Sequence, residues 1–313
     1  MGQTFKEVPL GCCGRFSGFQ TLSKLHVHEV APRDGLQAET QVLPTGSKLR
    51  LVELLARSQP DSIEVTAFVR PDKVASLADA DALAEAVAAA PWRGEIPLAG
   101  LVLNRRGLGR FLATDLEILT IPVSATEGHS RANSGMGMAE ALEEAVDVVK
   151  DARAAGRKVR GVVSMALQCP FDGVADPLRV EEIAQALLGE GAERVVLADT
   201  LGNARADEVA RLLDHLGGGV APERLGLHLH DNEGLAGDSV RAAWERGVRH
   251  FDSAAGGGGG CPFAPGAGGN LSTSVLVGLA RDLGASCGVK EGPLRVAESF
   301  LAEALGPTMA DDA

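Results

Sequence analysis

Leu225-Gly226-Leu227-His228-Leu229-His230-Asp231-Asn232-Glu233-Gly234 alternates leucine with histidine and then breaks into a polar run. The alternation has the two-residue period of a β-strand. Side chains two apart on a strand share a face, so His228 and His230 point to one side and the leucines to the other. Two imidazoles on one side of a strand end can ligate one metal ion, because each neutral ring offers a nitrogen lone pair. Two hydrogen-bonded histidines filling a barrel interior fit the stretch equally well. Ligands from elsewhere in the chain must decide.

Working outward, seven more β-rich runs have similar length: Leu25–Val30, Ser62–Thr66, Leu98–Leu103, Leu116–Ile121, Val159–Ser164, Arg194–Ala198 and Val248–Asp252. Between them lie segments with apolar residues at helical spacing, among them Lys48–Arg57, Ala139–Ala155, Pro177–Gly189 and Ala206–Leu216, and a last one through Leu271–Leu283. Eight strand–helix units in 313 residues fit an α/β fold, the (β/α)8 TIM barrel. The competing doubly wound sheet needs a glycine fingerprint after its first strand, where this chain has Ala31-Pro32-Arg33-Asp34-Gly35. The expected organisation is an N-terminal arm over residues 1–22, a catalytic barrel over 23–290, and C-terminal capping helices or a tail over 291–313.

Lys and Arg number 30 against 42 Asp and Glu, a net charge of −12. That argues against nonspecific binding to nucleic acid or a membrane surface, though not against a local basic pocket for an anionic substrate. No apolar run is long enough to cross a bilayer, and Met1 to Gln20 lacks the apolar core of a secretory signal. The five cysteines, Cys12, Cys13, Cys169, Cys261 and Cys287, are odd in number and irregularly spaced. They argue for a reducing, cytoplasmic setting rather than a disulfide framework. Tyrosine is absent, so no phenol can act as an acid.

Chemistry in a barrel gathers at the C-terminal strand ends. Arg33 and Asp34 follow the first strand. Glu64 sits near the end of the second, followed by Phe68. Asn104 follows the third, Ser164 ends the fifth, the sixth delivers Asp199 and Thr200, and the seventh His228 and His230. A glycine-rich loop, Ala255 to Gly260, follows the eighth, then Cys261 and Gly268-Gly269-Asn270. Any one of these has an ordinary explanation: Asp34 could cap a helix and Asp199 could bind a turn amide. So many at one face are harder to dismiss. A carboxylate, two imidazoles and an amide oxygen suit Mg²⁺ or Mn²⁺, with zinc an alternative. Arg33 can pair with a carboxylate or stabilise an enolate oxygen. Cys261, before Pro262 on a glycine-rich loop, is a candidate acid/base or redox thiol, and the glycines suit a lid hinge.

Glu29-Val30-Ala31-Pro32-Arg33-Asp34-Gly35-Leu36-Gln37 resembles the opening signature of the 3-hydroxy-3-methylglutaryl-CoA lyase family of metal-dependent TIM-barrel lyases and Claisen-type synthases. Ile63–Val69, Arg160–Phe171, Ala198–Gly202, His228–Asp231 and Gly259–Asn270 resemble it in the same order, over about residues 24 to 284. The Gly259-Gly260-Cys261-Pro262-Phe263-Ala264 stretch is specific to the lyase branch. The resemblance implies a metal site of Asp34, His228, His230 and Asn270, Arg33 on the substrate carbonyl, Cys261 as a mobile acid/base group, and Glu64 and Asp199 in support. Gln37, Phe68, Asn104, Ser164 and Thr200 are expected beside the substrate. The chain departs from the family pattern at Thr40, Glu233, Gly258 and Ser274, and across Thr126–Gly137 with His129 and Arg131.

The expected activity is metal-dependent cleavage of a tertiary 3-hydroxyacyl thioester to an acetyl-CoA-type fragment and a keto acid. The substrate is thus an acyl-CoA or a hydroxy acid, and a homodimer is expected. Condensation by the same site, a CoA-independent aldolase, and a catalytically silent metabolite-binding barrel are the alternatives. The silent barrel does not explain why Asp34, His228, His230, Asn270 and Cys261 occur together.

Overall fold

The computed structural model describes residues 23–260, 266 and 268–306. The expected N-terminal arm lies outside the described residues, and so does Cys261.

Eight parallel strands form the wall: β1 Lys24–Glu29, β2 Ser62–Ala67, β3 Leu98–Leu101, β4 Ile118–Ser124, β5 Lys158–Ser164, β6 Arg194–Asp199, β7 Leu225–Leu229 and β8 His250–Ser253. Each pairs with the next in sequence, and β8 returns to β1 through His26↔His250 to Glu29↔Ser253, which closes the barrel. The TIM barrel expected from the sequence is therefore observed. Strand ends shift by up to three residues where pairing overrides local apolar content. β4 runs on to Ser124 because it stays in register with β5 up to Ser124↔Ser164. β3 stops at Leu101, shortly before Asn104 begins the next helix by accepting the Gly107 amide at 3.0 Å.

The outward residues of the strands, such as Leu25, Val27, Val195 and Leu227, join one core with the buried faces of the surrounding helices. These include α1 Thr45–Ser58, α2 Ala80–Ala88, α3 Arg105–Leu112, α4 Glu127–Ser134 and α5 Met138–Ala154, then α6 Pro177–Gly189, α7 Ala206–Leu216, α8 Ala236–Glu245 and α9 Thr273–Asp282. Local chemistry sets several starts. Pro177 opens α6 while Asp176 accepts the Leu178 amide at 3.0 Å, and Glu208 accepts the Arg205 amide ahead of α7 at 2.8 Å. α4 was not anticipated. It ends on Gly135 at φ +77°, the left-handed residue that commonly closes a helix. A short antiparallel ribbon, Gln168–Cys169 with Gly173–Val174, and a two-residue strand, Ser286–Cys287, flanking β1 outside the ring, are further additions.

The sequence reading allowed for more than one capping helix at the C-terminus. Among the described residues there is one, α10 Glu291–Leu305, which packs along α1 with Leu294, Ala297 and Leu301 buried. No helix of the described residues is long and apolar enough to cross a membrane.

Barrel interiors are usually filled by branched apolar side chains. This one carries many polar groups that meet across the lumen. Glu64 on β2 accepts from Thr120 on β4, and Arg160 on β5 pairs with Asp252 on β8. Neither pair of strands is adjacent in the ring, so both contacts must span the interior.

Candidate metal centre and active site

Ala31–Gly35 forms a tight π-helical turn directly after β1. The Val30 carbonyl accepts the amides of Arg33, Asp34 and Gly35 at 3.1, 2.7 and 3.2 Å. That turn places Arg33 and Asp34 at the barrel mouth, both buried. Across the mouth, His228 and His230 leave β7 on its inner face, as the alternation required. His230 then bridges to Asn270.

One ligand atom from each of Asp34, His228 and His230 lies within 4.8 Å of the other two. Asp34 Oδ2 is 3.5 Å from His230 Nε2 and 3.8 Å from His228 Nε2, and the two Nε2 atoms are 3.2 Å apart. The outer nitrogens fix the tautomers. His230 Nδ1 lies 2.7 Å from the Thr200 carbonyl, which can only accept, and His228 Nδ1 lies 3.1 Å from the Asp252 carboxylate. With both protons on Nδ1, both Nε2 lone pairs face Asp34. Three acceptors this close repel one another unless a metal cation or a proton lies between them. Asn270 adds a second sign: its Nδ2 donates to Asp34 Oδ2 at 2.8 Å and to the Gly258 carbonyl at 2.9 Å. Its Oδ1 is buried with no partner among the described residues. A carboxylate, two neutral imidazoles and an orphaned amide oxygen fit a hard or borderline divalent cation.

The charges around the site are mutually set. Burial alone would raise the Asp34 pKa. The Arg33 guanidinium outweighs it and holds the carboxyl well below the usual range. Arg33 donates from Nε to Glu64 and from Nη1 to Asp34, and more weakly to Gln37 Oε1 at 3.5 Å. These carboxylates overcome the desolvation of Arg33 and keep it firmly charged.

Above this floor opens a cavity of about 560 Å³ lined by Arg33, Asp34, His228 and His230. Gln37, Phe68, Asn104, Ser164 and Thr200 line it too. Phe68 is fixed edge-on to Phe111 with centroids 6.0 Å apart. The Asn104 oxygen is spent capping α3, and the Thr200 hydroxyl accepts the Met165 amide at 3.1 Å. Asp199 is not among the lining residues. Its carboxylate accepts the amides of Gly202 and Ala204 at 3.1 and 3.0 Å, which is the turn-binding alternative considered for it. Burial raises its pKa.

Several residues here escaped the sequence reading. Asp252 touches His228, Arg160 touches Asp252, and Thr120 touches Glu64. The available signal was a charged or polar residue alternating with apolar ones inside a strand, as in Val159-Arg160-Gly161-Val162. His129, from the divergent Thr126–Gly137 segment noted in the sequence, lines the cavity. Its Nδ1 lies 2.7 Å from Ser124 Oγ, and burial lowers its pKa to about 4. At the mouth, Arg70, Lys73, Arg106 and Arg110 form a cationic rim on an otherwise acidic protein. Arg70 is paired with Asp72 and Arg110 with Asp81.

Comparison with known proteins agrees with this geometry. The HMGL-like family model matches residues 24–301. The chain is 37% identical over 268 residues to a hydroxymethylglutaryl-CoA lyase of Pseudomonas mevalonii, covering 86% of this chain and 88% of that protein. It is 35% identical over 285 residues to an (R)-citramalyl-CoA lyase of Chloroflexus aurantiacus, covering 89% and 90%. A solved HMG-CoA lyase from Acinetobacter baumannii, in complex with coenzyme A and 3-methylmalate, superposes with a TM-score of 0.85 at 33% identity, covering 93% of this chain and 95% of that one. On its barrel, its strand-end residues and these matches, the chain belongs to the HMGL-like family, that of the hydroxymethylglutaryl-CoA lyases.

Proposed function

We propose that this lyase cleaves an acyl-CoA thioester of the 3-hydroxy-3-methylglutaryl-CoA type, releasing acetyl-CoA and a keto acid, and that its metal is Mg²⁺ or Mn²⁺. The observation that carries the reading is the convergence of Asp34 and two Nδ1-protonated imidazoles beside a buried, charged Arg33 on the cavity floor. Asp34, His228 and His230 would hold the metal, joined by Asn270 through its unpartnered Oδ1. When bound, the metal supplies Lewis acidity toward a hydroxyl and carbonyl oxygen and a template for both.

The chain's own groups account for the rest. The proton of the tertiary hydroxyl passes to solvent at the cavity mouth, since both Asp34 oxygens are already engaged, by Arg33 and by Asn270. The C–O bond becomes a carbonyl, the C2–C3 bond breaks, and its electron pair moves onto C2 as a thioester enolate. Arg33 cannot swing away, because Glu64 and Asp34 grip two of its nitrogens. It is therefore preorganised toward the developing oxyanion. Cys261 supplies the proton that C2 needs, from a loop entered through Gly260 at φ +148°. Lys73 and Arg106 at the mouth, neither of them in an ion pair among the described residues, suit the phosphates of CoA.

The test is a panel of 3-hydroxyacyl-CoA thioesters, methylglutaryl-, isohexenylglutaryl- and citramalyl-CoA among them, with free hydroxy acids as controls. Mass spectrometry should find acetyl-CoA and a keto acid only with Mg²⁺ or Mn²⁺ present. Cleavage of free acids alone would indicate an aldolase, and no cleavage of any thioester would overturn the reading.

A further inference from the structure

Arg160 and Asp252 form a buried ion pair in the lumen, with side chains 6% and 4% exposed. Arg160 Nη2 lies 2.7 and 2.6 Å from Asp252 Oδ1 and Oδ2, so one donor nitrogen engages both carboxylate oxygens. The same Oδ2 faces Nδ1 of His228 at 3.1 Å. A buried pair of this kind loses solvation that branched apolar residues would not lose, and such residues usually occupy these positions in a barrel. Its presence at the back of a metal ligand therefore asks for a use.

The two imidazoles offer the same atom to the metal but differ behind it. His230 gives its Nδ1 proton to a neutral carbonyl, that of Thr200, and His228 gives its own to an ionised carboxylate. Arg160 holds both oxygens of that carboxylate at hydrogen-bond distance, which favours its ionised form. An anionic acceptor behind an imidazole fixes the tautomer and raises the basicity of the ligating nitrogen. With both its oxygens engaged, Asp252 is also kept from turning into the cavity to compete as a ligand.

We infer that Asp252, fixed by Arg160 across the lumen, is a positioning residue that sets the tautomer and donor strength of His228 and makes it the stronger of the two imidazole ligands. This rests on the metal reading above and is independent of the substrate.

The experiment is Mn²⁺ titration of the full chain by calorimetry without substrate, together with ¹⁵N NMR of the histidines in the Mg²⁺-bound protein, His228 being assigned with His228→Gln. In the unmodified protein His228 should carry its proton on Nδ1. Asp252→Asn should weaken Mn²⁺ binding by about 10- to 100-fold and leave the His230 tautomer unchanged. The double variant Asp252→Asn/Arg160→Gln should lose no more than Asp252→Asn alone, because Arg160 acts through Asp252. A residue that only fills the lumen would lower Tm without moving either readout. A folded Asp252→Asn that binds Mn²⁺ within twofold of the unmodified protein would overturn the inference. So would a proton found on Nε2 of His228, and that measurement decides alone if the variants do not fold. Failure of the unmodified protein to bind Mn²⁺ would overturn the metal reading as well, whereas normal binding without thioester cleavage would overturn only the proposed reaction.

Discussion

Replacing Arg33 by lysine keeps the charge and removes the fork. The guanidinium holds Glu64 through Nε, and Asp34 and Gln37 through Nη1. A single ammonium cannot reach both carboxylates from one position. One charge-assisted hydrogen bond, worth about 1.5–3 kcal/mol, should therefore be lost from the folded state. The kinetic effect should be larger in kind. Loss of a preorganised donor to a developing oxyanion costs about 10²–10³ in kcat, or about 2.7–4 kcal/mol of barrel-mouth stabilisation present in the transition state and not in the ground state. Arg33→Lys should thus lower kcat by about that factor and leave KM within a few-fold. The assay is the initial rate of thioester cleavage over a range of substrate at saturating Mg²⁺. Mn²⁺ titration and a thermal melt on the same sample establish that the metal centre and fold persist. A kcat within threefold of the unmodified enzyme with a raised KM would refute the argument and make Arg33 a ground-state anchor.

Three further outcomes are expected. Glu29 accepts the amides of Ala31 and Ala255 at 2.8 and 3.0 Å and the Thr273 hydroxyl at 2.7 Å, yet burial still pushes its pKa up to about 7 from 4.5. Because the folded value lies above the unfolded one, its contribution to stability is fully present below about pH 4.5 and is lost as pH rises through about 7. At about 1.4 kcal/mol per pH unit the loss is on the order of 3 kcal/mol. Glu29→Gln should therefore gain on the unmodified protein between pH 5 and 8 in urea unfolding, and parallel pH curves would refute this. Gly259 has φ +108°, and a Cβ there would lie 2.5 Å from Asn270 Nδ2 and 2.6 Å from the Asp34 carbonyl. Gly259→Ala should weaken Mn²⁺ binding at least about tenfold, roughly 1.4 kcal/mol, and unchanged binding by calorimetry would show that this backbone approach does not shape the site. Cys261→Ser should keep the melting temperature and Mn²⁺ affinity while lowering kcat about 10²-fold, and full turnover would end the proton-donor role.

The barrel was legible because its signals are local. Alternating or apolar runs mark each strand, helical spacing marks the segments between, and eight such units without a dinucleotide glycine fingerprint favour a closed parallel sheet over an open one. Asp34, His228 and His230 were legible for the same reason: each sits at a strand end, and strand ends meet at one face of a barrel however far apart they lie in sequence. The family signature around Arg33 and Asp34 pointed to the same face. Strand limits were less legible, since pairing with a neighbour, as between Ser124 and Ser164, decides where a strand stops.

The sequence by itself determined that His228 and His230 share one face of their strand, because strand alternation is a property of the chain. Only the tertiary structure decided what each one does there. Asp199 and Asn104 look as eligible as Asp34 in sequence, but one binds the turn at Gly202 and the other caps α3. Arg160 and Asp252, 92 residues apart, read as single charged residues in two apolar strands. Their contact exists because ring closure sets β5 and β8 across one lumen. A short-range pattern fixes the side to which a residue points. The partner it finds there depends on distances across the barrel, which closure of the ring creates and no local stretch contains.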